Sequence, residues 1–305
     1  MKQSMLYPRA SAARRVTDLG GMWKFCLDWD GKGDQEGWKD GIPGTEKIPV
    51  PASFNDFYTD KDIREFAGDF WYETEVFVPG EWRKMHVDLR FAALTHRGTV
   101  YVNGQEVISH EGGFLPFSAR IDDVVRWNEK NLVVVKGNNE LSFTSLPAGF
   151  TQTLKSGKKM IRPFFDFFNY AGIQRPVKLV ALPKEYIEDF TVNHRLDGTT
   201  AYVDYQMETT GNHPVTVEVF DENGSFVTKA EGKTGTITIP EARLWEVRDA
   251  YLYRFVLKIM EGDAVIDEYE EEIGIRTFEI QGTSFILNGH PVYLKGFGKH
   301  EDSDI

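Results

Sequence analysis

Three Asn-Gly pairs punctuate this chain, at residues 103–104, 223–224 and 288–289, and each sits between short runs of β-branched and aromatic residues. The first separates Val100-Tyr101-Val102 from Val107-Ile108, the second VTVEVF from SFV, and the third SFIL from HPVYL. A two-residue hairpin turn needs positive φ at both central positions, which Asn and Gly tolerate, so the pairs predict β-hairpins. The runs FWYETEVFVP (Phe70 to Pro79), GTVYVNGQEVISH (Gly98 to His110) and NLVVVKG (Asn131 to Gly137) have strand composition. Long amphipathic helical periods are absent, and Asp34 to Asp40 suits a short helix or a turn. The expected fold class is all-β, with many short strands arranged as sandwiches.

A boundary is expected at Leu182-Pro183-Lys184, where RPVKLVAL closes a first block. From YIEDFTVNHRL to VIDEYEEEIGIR, about seven short strands fall within roughly 90 residues, the density of an immunoglobulin-like sandwich. No cysteine pair supports that sandwich, because Cys26 is the only cysteine. Beyond Arg276 the pattern gives one hairpin, then an apolar strand running into a polar, acidic tail.

The length of 305 residues suggests two domains or slightly more. With 35 basic and 47 acidic residues the net charge is -12, which argues against nucleic acid or an anionic membrane as partner. A single cysteine permits no intrachain disulfide and no cysteine zinc site, and suits a reducing, cytoplasmic setting. The N-terminal MKQSMLYPRASAARRV lacks an apolar run of signal-peptide length, and no stretch is apolar enough to cross a bilayer as a helix. GxGxxG, P-loop and GxSxG motifs are missing. None of the seven histidines stands at metal-ligand spacing from another, so no metal is expected.

Several stretches carry a specific resemblance. They are LGGMWKFCLD, PVPASFND, DIREFAGDFWYETEVFVP, RFAALTHRGTVYVNGQEVISHEGGFLPFSARI, KMIRPFFDFFNYAGIQRPVKL and GIRTFEI…FILNGHPVYLKGFGKHEDSDI. Together they resemble the N-terminal half of bacterial enzymes of glycoside hydrolase family 2, across essentially the whole chain. The match is closer to the β-glucuronidase branch than to the β-galactosidases. The resemblance implies a jelly-roll domain of sugar-binding type over residues 1–183 and an immunoglobulin-like sandwich over 184–276. Residues 277–305 would then be the first hairpin and strand of a TIM barrel. A barrel takes ~250 residues, so the rest of it is expected to lie outside this chain.

In the family both catalytic glutamates come from later barrel strands, so no catalytic residue is assigned here. A retaining mechanism needs two facing carboxylates, and the chain by itself is expected to be inactive. Two positions carry over as substrate-binding residues, Asp166 in FFDFFNYAGIQRP and His300 in GFGKHED. A carboxylate can accept from two vicinal hydroxyls, and an imidazole can serve a third. The competing reading makes Asp166 and Asn169 turn organisers, the neighbouring phenylalanines local core, and His300 a surface residue. The resemblance favours the sugar contacts, with the aromatics of Phe164 to Tyr170 expected to anchor the loop against both the jelly roll and the barrel.

Trp23, Trp71 and Trp245 could stack on sugar rings, but their neighbours read as strand cores. His110-Glu111-Gly112-Gly113 reads as a structural loop and Cys26 as a small buried hydrophobe. The family implies no cofactor, a glycoside substrate, and a homo-oligomer for the intact enzyme. Alternatives are a free-standing carbohydrate-binding module, another family 2 activity such as β-galactosidase, and a scaffold that exposes Tyr293, Leu294 and Phe297.

Overall fold

The computed structural model of the chain describes residues 6–298. Two compact units emerge, one running from Val16 to Ala181, the other combining Leu182–Gly298 with the described residues up to Arg15. No helix among the described residues is long and apolar enough to cross a membrane.

The Val16–Ala181 unit is built on twelve strands: β1 (Arg15–Asp18), β2 (Gly21–Leu27), β3 (Lys47–Val50), β4 (Asp69–Val78), β5 (His86–Phe91), β6 (Arg97–Val102), β7 (Gln105–Glu111), β8 (Phe117–Arg120), β9 (Glu129–Asn138), β10 (Gly149–Thr153), β11 (Lys159–Pro163) and β12 (Val177–Leu182). Six form an antiparallel sheet in the order β3-β2-β4-β9-β6-β7, and four form a second sheet in the order β1-β12-β5-β8. Alternation along β5 shows why the sheets face each other. Val87, Leu89 and Phe91 are buried, whereas His86, Asp88 and Arg90 are only partly so. The inward residues meet Trp23, Phe25, Phe70 and Tyr72 of the larger sheet in one core. Each such side chain contributes about 1.5–3 kcal/mol on burial. The unit is therefore a two-sheet sandwich of jelly-roll type.

Phe70-Trp71-Tyr72 breaks the alternation, since all three are buried. The reason is a second small core on the outer face of the same sheet, where Trp71 packs with Ile42 and Val134. A strand covered on both faces reads as an unbroken apolar run. Trp38–Asp40 forms a short 3-10 turn within the predicted 34–40 stretch, and the α-helices Phe54–Phe57 and Lys61–Arg64 are single turns.

The second unit holds β13 (Ile187–Asp197), β14 (Thr200–Thr209), β15 (Val215–Phe220), β16 (Phe226–Glu231), β17 (Thr234–Ile239), β18 (Tyr253–Glu261) and β19 (Ala264–Ile273). Sheets β13-β14-β17 and β16-β15-β18-β19 enclose Val203, Val217, Phe255, Leu257 and Tyr269. This is the seven-stranded immunoglobulin-like sandwich that the spacing predicts. A separate antiparallel sheet follows, β20 (Phe278–Gln281), β21 (Ser284–Leu287) and β22 (His290–Val292). Residues 293–298 have no regular structure, and Tyr293, Leu294 and Phe297 are exposed.

Two of the three Asn-Gly pairs form the expected turns. Asn103 and Gly104 have φ of 50° and 78°, and Asn288 and Gly289 have 50° and 80°. They join directly paired residues, Val102 with Gln105 and Leu287 with His290. The third pair is different. Only Gly224 has positive φ, and β15 and β16 close at Phe220 and Phe226. The Asp221 carboxylate caps this wider turn by accepting from the backbone N–H groups of Asn223 and Ser225.

Candidate functional site

The segment from Phe164 to Gln174 connects β11 to β12 and divides into a pinned half and a projecting half. At the pinned end Ala171 and Ile173 are fully buried. Their carbonyls accept from Phe54 N at 3.1 Å and Ala52 N at 2.9 Å, and Thr95 N donates to Gly172 O at 3.1 Å. Asn55, itself buried, accepts from Ala171 N at 2.8 Å and donates to Arg64 O at 2.7 Å. Gly172 takes φ of 123°, and a Cβ there would lie 2.6 Å from the Tyr72 hydroxyl. The backbone path thus explains the glycine in the middle of the aromatic run.

Asn169 fixes the next point. Its Nδ2 donates to Asn139 O at 3.1 Å, and its Oδ1 lies 2.6 Å from His96 Nε2. Phe168 is half-buried beneath the Arg64 guanidinium, 5.0 Å from the ring centre, and 5.1 Å from the Tyr170 ring. Residues 164–167 project. Phe164 and Phe167 are exposed. Phe165 and Phe167 pack on each other at 4.2 Å. Phe164 packs with Phe143 and Phe150 at 5.5 and 6.0 Å.

Asp166 stands exposed at the centre of this projection. No described residue pairs with it, so both oxygens remain available as acceptors. His300 lies outside the described residues. Beneath the segment is a cavity of about 300 Å³, bordered by Asn55, Phe66, Met160, Ile161, Phe167 and Phe168.

A nearby cavity of about 450 Å³ collects six carboxylates, from Asp28, Asp30, Asp62, Glu65, Asp69 and Glu140. Each faces a cation or a backbone N–H. Lys158 pairs with Asp62 and Glu65, Lys136 with Asp69, Lys159 with Glu140, and Lys32 with Asp30. Asp28 accepts from Lys32 N and Gly33 N. The hydrogen bond from Lys158 holds the exposed Asp62 carboxyl below the usual range. Among the described residues, no three His, Cys, Asp or Glu side chains group closely enough to hold a metal ion.

The weaker candidates resolve in structural terms. Trp23 and Trp71 are fully buried, and Trp245 is half-buried beneath Arg276, 5.1 Å from its ring centre. His110 stacks on Phe117 at 4.3 Å, with Nε2 3.1 Å from Gly112 O. Cys26 is half-buried rather than buried, because it lies on the outer-face core beside Trp71; burial pushes its thiol pKa up. The residue that sequence reasoning missed is His96. It is 4% exposed and reaches the Asp166 segment from 73 positions away.

Comparison with known proteins places these features. Residues 16–183 match the model for the sugar binding domain of glycosyl hydrolases family 2, and residues 185–276 match a second model of that family. A β-glucuronidase of Paenibacillus borealis is 39% identical over 99% of this chain and 52% of its own length. The human β-glucuronidase is 35% identical over the full chain and 51% of its own length. The crystal structure of Ruminococcus gnavus β-glucuronidase superposes with a TM-score of 0.96 at 53% identity, covering 99% of this chain and 52% of that one. A structure of the Ruminococcus gnavus protein in complex with D-glucuronic acid gives 0.95 at 52% identity, covering 97% of this chain and 52% of that one. The chain spans about half the length of the curated relatives it matches. With a family model covering more than half of its residues, the chain belongs to glycosyl hydrolase family 2.

Proposed function

We propose that these residues form the N-terminal, non-catalytic portion of a β-glucuronidase, which in its intact form hydrolyses β-D-glucuronides with retention. The observation that carries this reading is the match to β-glucuronidases over 99% of this chain but only about half of theirs. The chemistry agrees. The six carboxylates gathered in one cavity face cations or amides, whereas Asp166 has no partner among the described residues and stands exposed on a braced loop. In this reading Asp166 accepts hydrogen bonds from two sugar hydroxyls, His300 supplies a third contact, and the two catalytic carboxylates come from a barrel. No cofactor takes part. The intact enzyme is a homo-oligomer, and the single cysteine suits a cytoplasmic setting.

The test has two arms. The 305-residue chain alone is incubated with chromogenic β-D-glucuronide and β-D-galactoside. A hybrid, in which the chain is joined to the part of the Ruminococcus gnavus enzyme it does not span, receives the same substrates. The expected result is no turnover by the chain alone and glucuronide-selective turnover by the hybrid. Enzyme-like turnover by the chain alone, or galactoside selectivity in the hybrid, overturns the reading.

A further inference from the structure

His96 sits on the turn into β6, and it is buried, 4% exposed. Phe114 meets it edge-on at 6.0 Å, and a Cβ on Gly113 would come within 3.0 Å of its Nδ1. Among the described residues only Nε2 has a partner, Asn169 Oδ1 at 2.6 Å, while Nδ1 is buried without a hydrogen bond. The Asn169 amide nitrogen is committed to Asn139 O, so its oxygen must face His96 and the imidazole must donate. Asn139 is itself fully buried and doubly held, accepting from Gly68 N and donating to Phe66 O.

This chain of bonds matters because of what lies under the loop. The cavity of about 300 Å³ borders Phe167, Phe168 and Asn169. Between β11 and the buried Ala171, the Asn169 side chain ties the segment to Asn139 O and to His96, and Phe164 N donates to Ala148 O at the start of the segment. Loosening at Asn169 frees the stretch that follows Phe164. The tip carries Asp166.

From this geometry we propose that His96 is a positioning residue: through its Nε2–H bond to Asn169 it fixes the segment that presents Asp166. The consequence for sugar binding rests on the function proposed above; the bracing of the loop does not. Burial pushes His96 below the ordinary histidine pKa, against the hydrogen bond to Asn169 and with help from neighbouring Arg97. Protonation would also place a second N–H at Nδ1, where no acceptor waits. The imidazole is thus held in its neutral Nε2–H tautomer, ready to donate.

Hydrogen exchange on the full 305-residue chain tests the bracing. His96→Ala and Asn169→Leu should each speed exchange in peptides spanning 164–170 at least tenfold, with β4 peptides unchanged. The double variant should add nothing further, and His96→Gln should restore part of the protection. Nitrogen-15 imidazole shifts should report the neutral Nε2–H tautomer. Unchanged loop exchange in both single variants, equal loosening of β4, or the Nδ1–H tautomer overturns the proposal. In the hybrid enzyme, His96→Ala should raise KM for the glucuronide by about tenfold and change kcat less. If the loop loosens but neither His96→Ala nor Asp166→Ala alters hydrolysis, bracing stands and the Asp166–sugar contact is refuted.

Discussion

Arg14 and Asp267 are 253 residues apart and form a buried, two-pronged ion pair. Arg14 Nη2 lies 2.5 Å from Asp267 Oδ2, and Nε lies 2.8 Å from Oδ1. The same groups continue into the sandwich, with Ile187 N donating to Asp267 Oδ2 and Arg14 donating to Ile187 O. Tyr269 adds an O–H bond to Tyr7 O, and the Arg9 and Arg14 guanidiniums stand over its ring. The residues before β1 are therefore built into the sandwich of β13–β19. Removing one member of a buried pair strands the other charge, at about 3–5 kcal/mol. Asp267→Ala and Arg14→Ala should each lower chain stability by that amount in denaturant unfolding. Joint replacement by Arg14→Met and Asp267→Leu should cost markedly less than either single change.

The Asn-Gly turns give a paired prediction. Asn103 has positive φ, donates to Val124 O and to Asn131, and accepts from Leu132 N. Asn103→Ala should cost about 2 kcal/mol from lost hydrogen bonds and a strained backbone. Asn223 lacks positive φ, and its side chain makes no hydrogen bond among the described residues, so Asn223→Ala should stay within about 0.5 kcal/mol. Urea midpoints of the two variants, measured side by side, decide this.

These two turns also show what could be read from the residues. Asn-Gly reports a local need for positive φ, and at 103 and 288 nothing competes with it. At 223 the upstream Asp221 carboxylate captures the backbone N–H groups and imposes a wider turn, a contest that the dipeptide alone does not reveal. Trp71 was legible as core only through its neighbours, because its outer-face partners Ile42 and Val134 are distant in sequence. The links between Arg14 and Asp267 and between His96 and Asn169 left no trace of spacing or composition, since they join residues distant in sequence. Asp166 entered through resemblance alone, and its surroundings explain why: an exposed acid on an aromatic loop looks like any turn until the loop's bracing is visible.

The Glu185–His213 pair predicts a pH signature in the second unit. His213 Nδ1 lies 2.6 Å from Glu185 Oε2, and the His213 backbone N–H donates to Oε1 at 2.9 Å. The Glu185 hydrogen bond raises the pKa of His213. For Glu185, burial pushes upward, but the bonds from His213 and the charges of His213 and Lys233 carry the carboxyl below its ordinary value. A raised histidine stabilises the fold fully below its unfolded value of 6.5, and that gain is lost as pH rises through the raised value. A depressed carboxylate stabilises above 4.5, and that gain is lost as pH falls through the lowered value. The stability difference between the wild-type chain and His213→Gln should therefore be largest between these limits and shrink by pH 8.5. Denaturant midpoints at pH 5.5 and 8.5 check the sign.

Gly172→Ala tests the backbone path that pins the candidate loop. The added methyl meets the Tyr72 hydroxyl and the Ala52 carbonyl, at a φ of 123°. Strain of this kind costs about 1–3 kcal/mol. A lowered thermal midpoint with faster exchange in residues 164–173 is the expected result.

The most direct test of the account is the kinetic effect of Asp166→Ala in the hybrid enzyme that joins this chain to the remaining part of the Ruminococcus gnavus β-glucuronidase. Loss of hydrogen bonds to a charged acceptor is worth about 1.5–3 kcal/mol, which predicts a fall of about 10- to 150-fold in kcat/KM for a chromogenic glucuronide with folding intact. Unchanged kcat/KM in a folded Asp166→Ala hybrid would contradict the account.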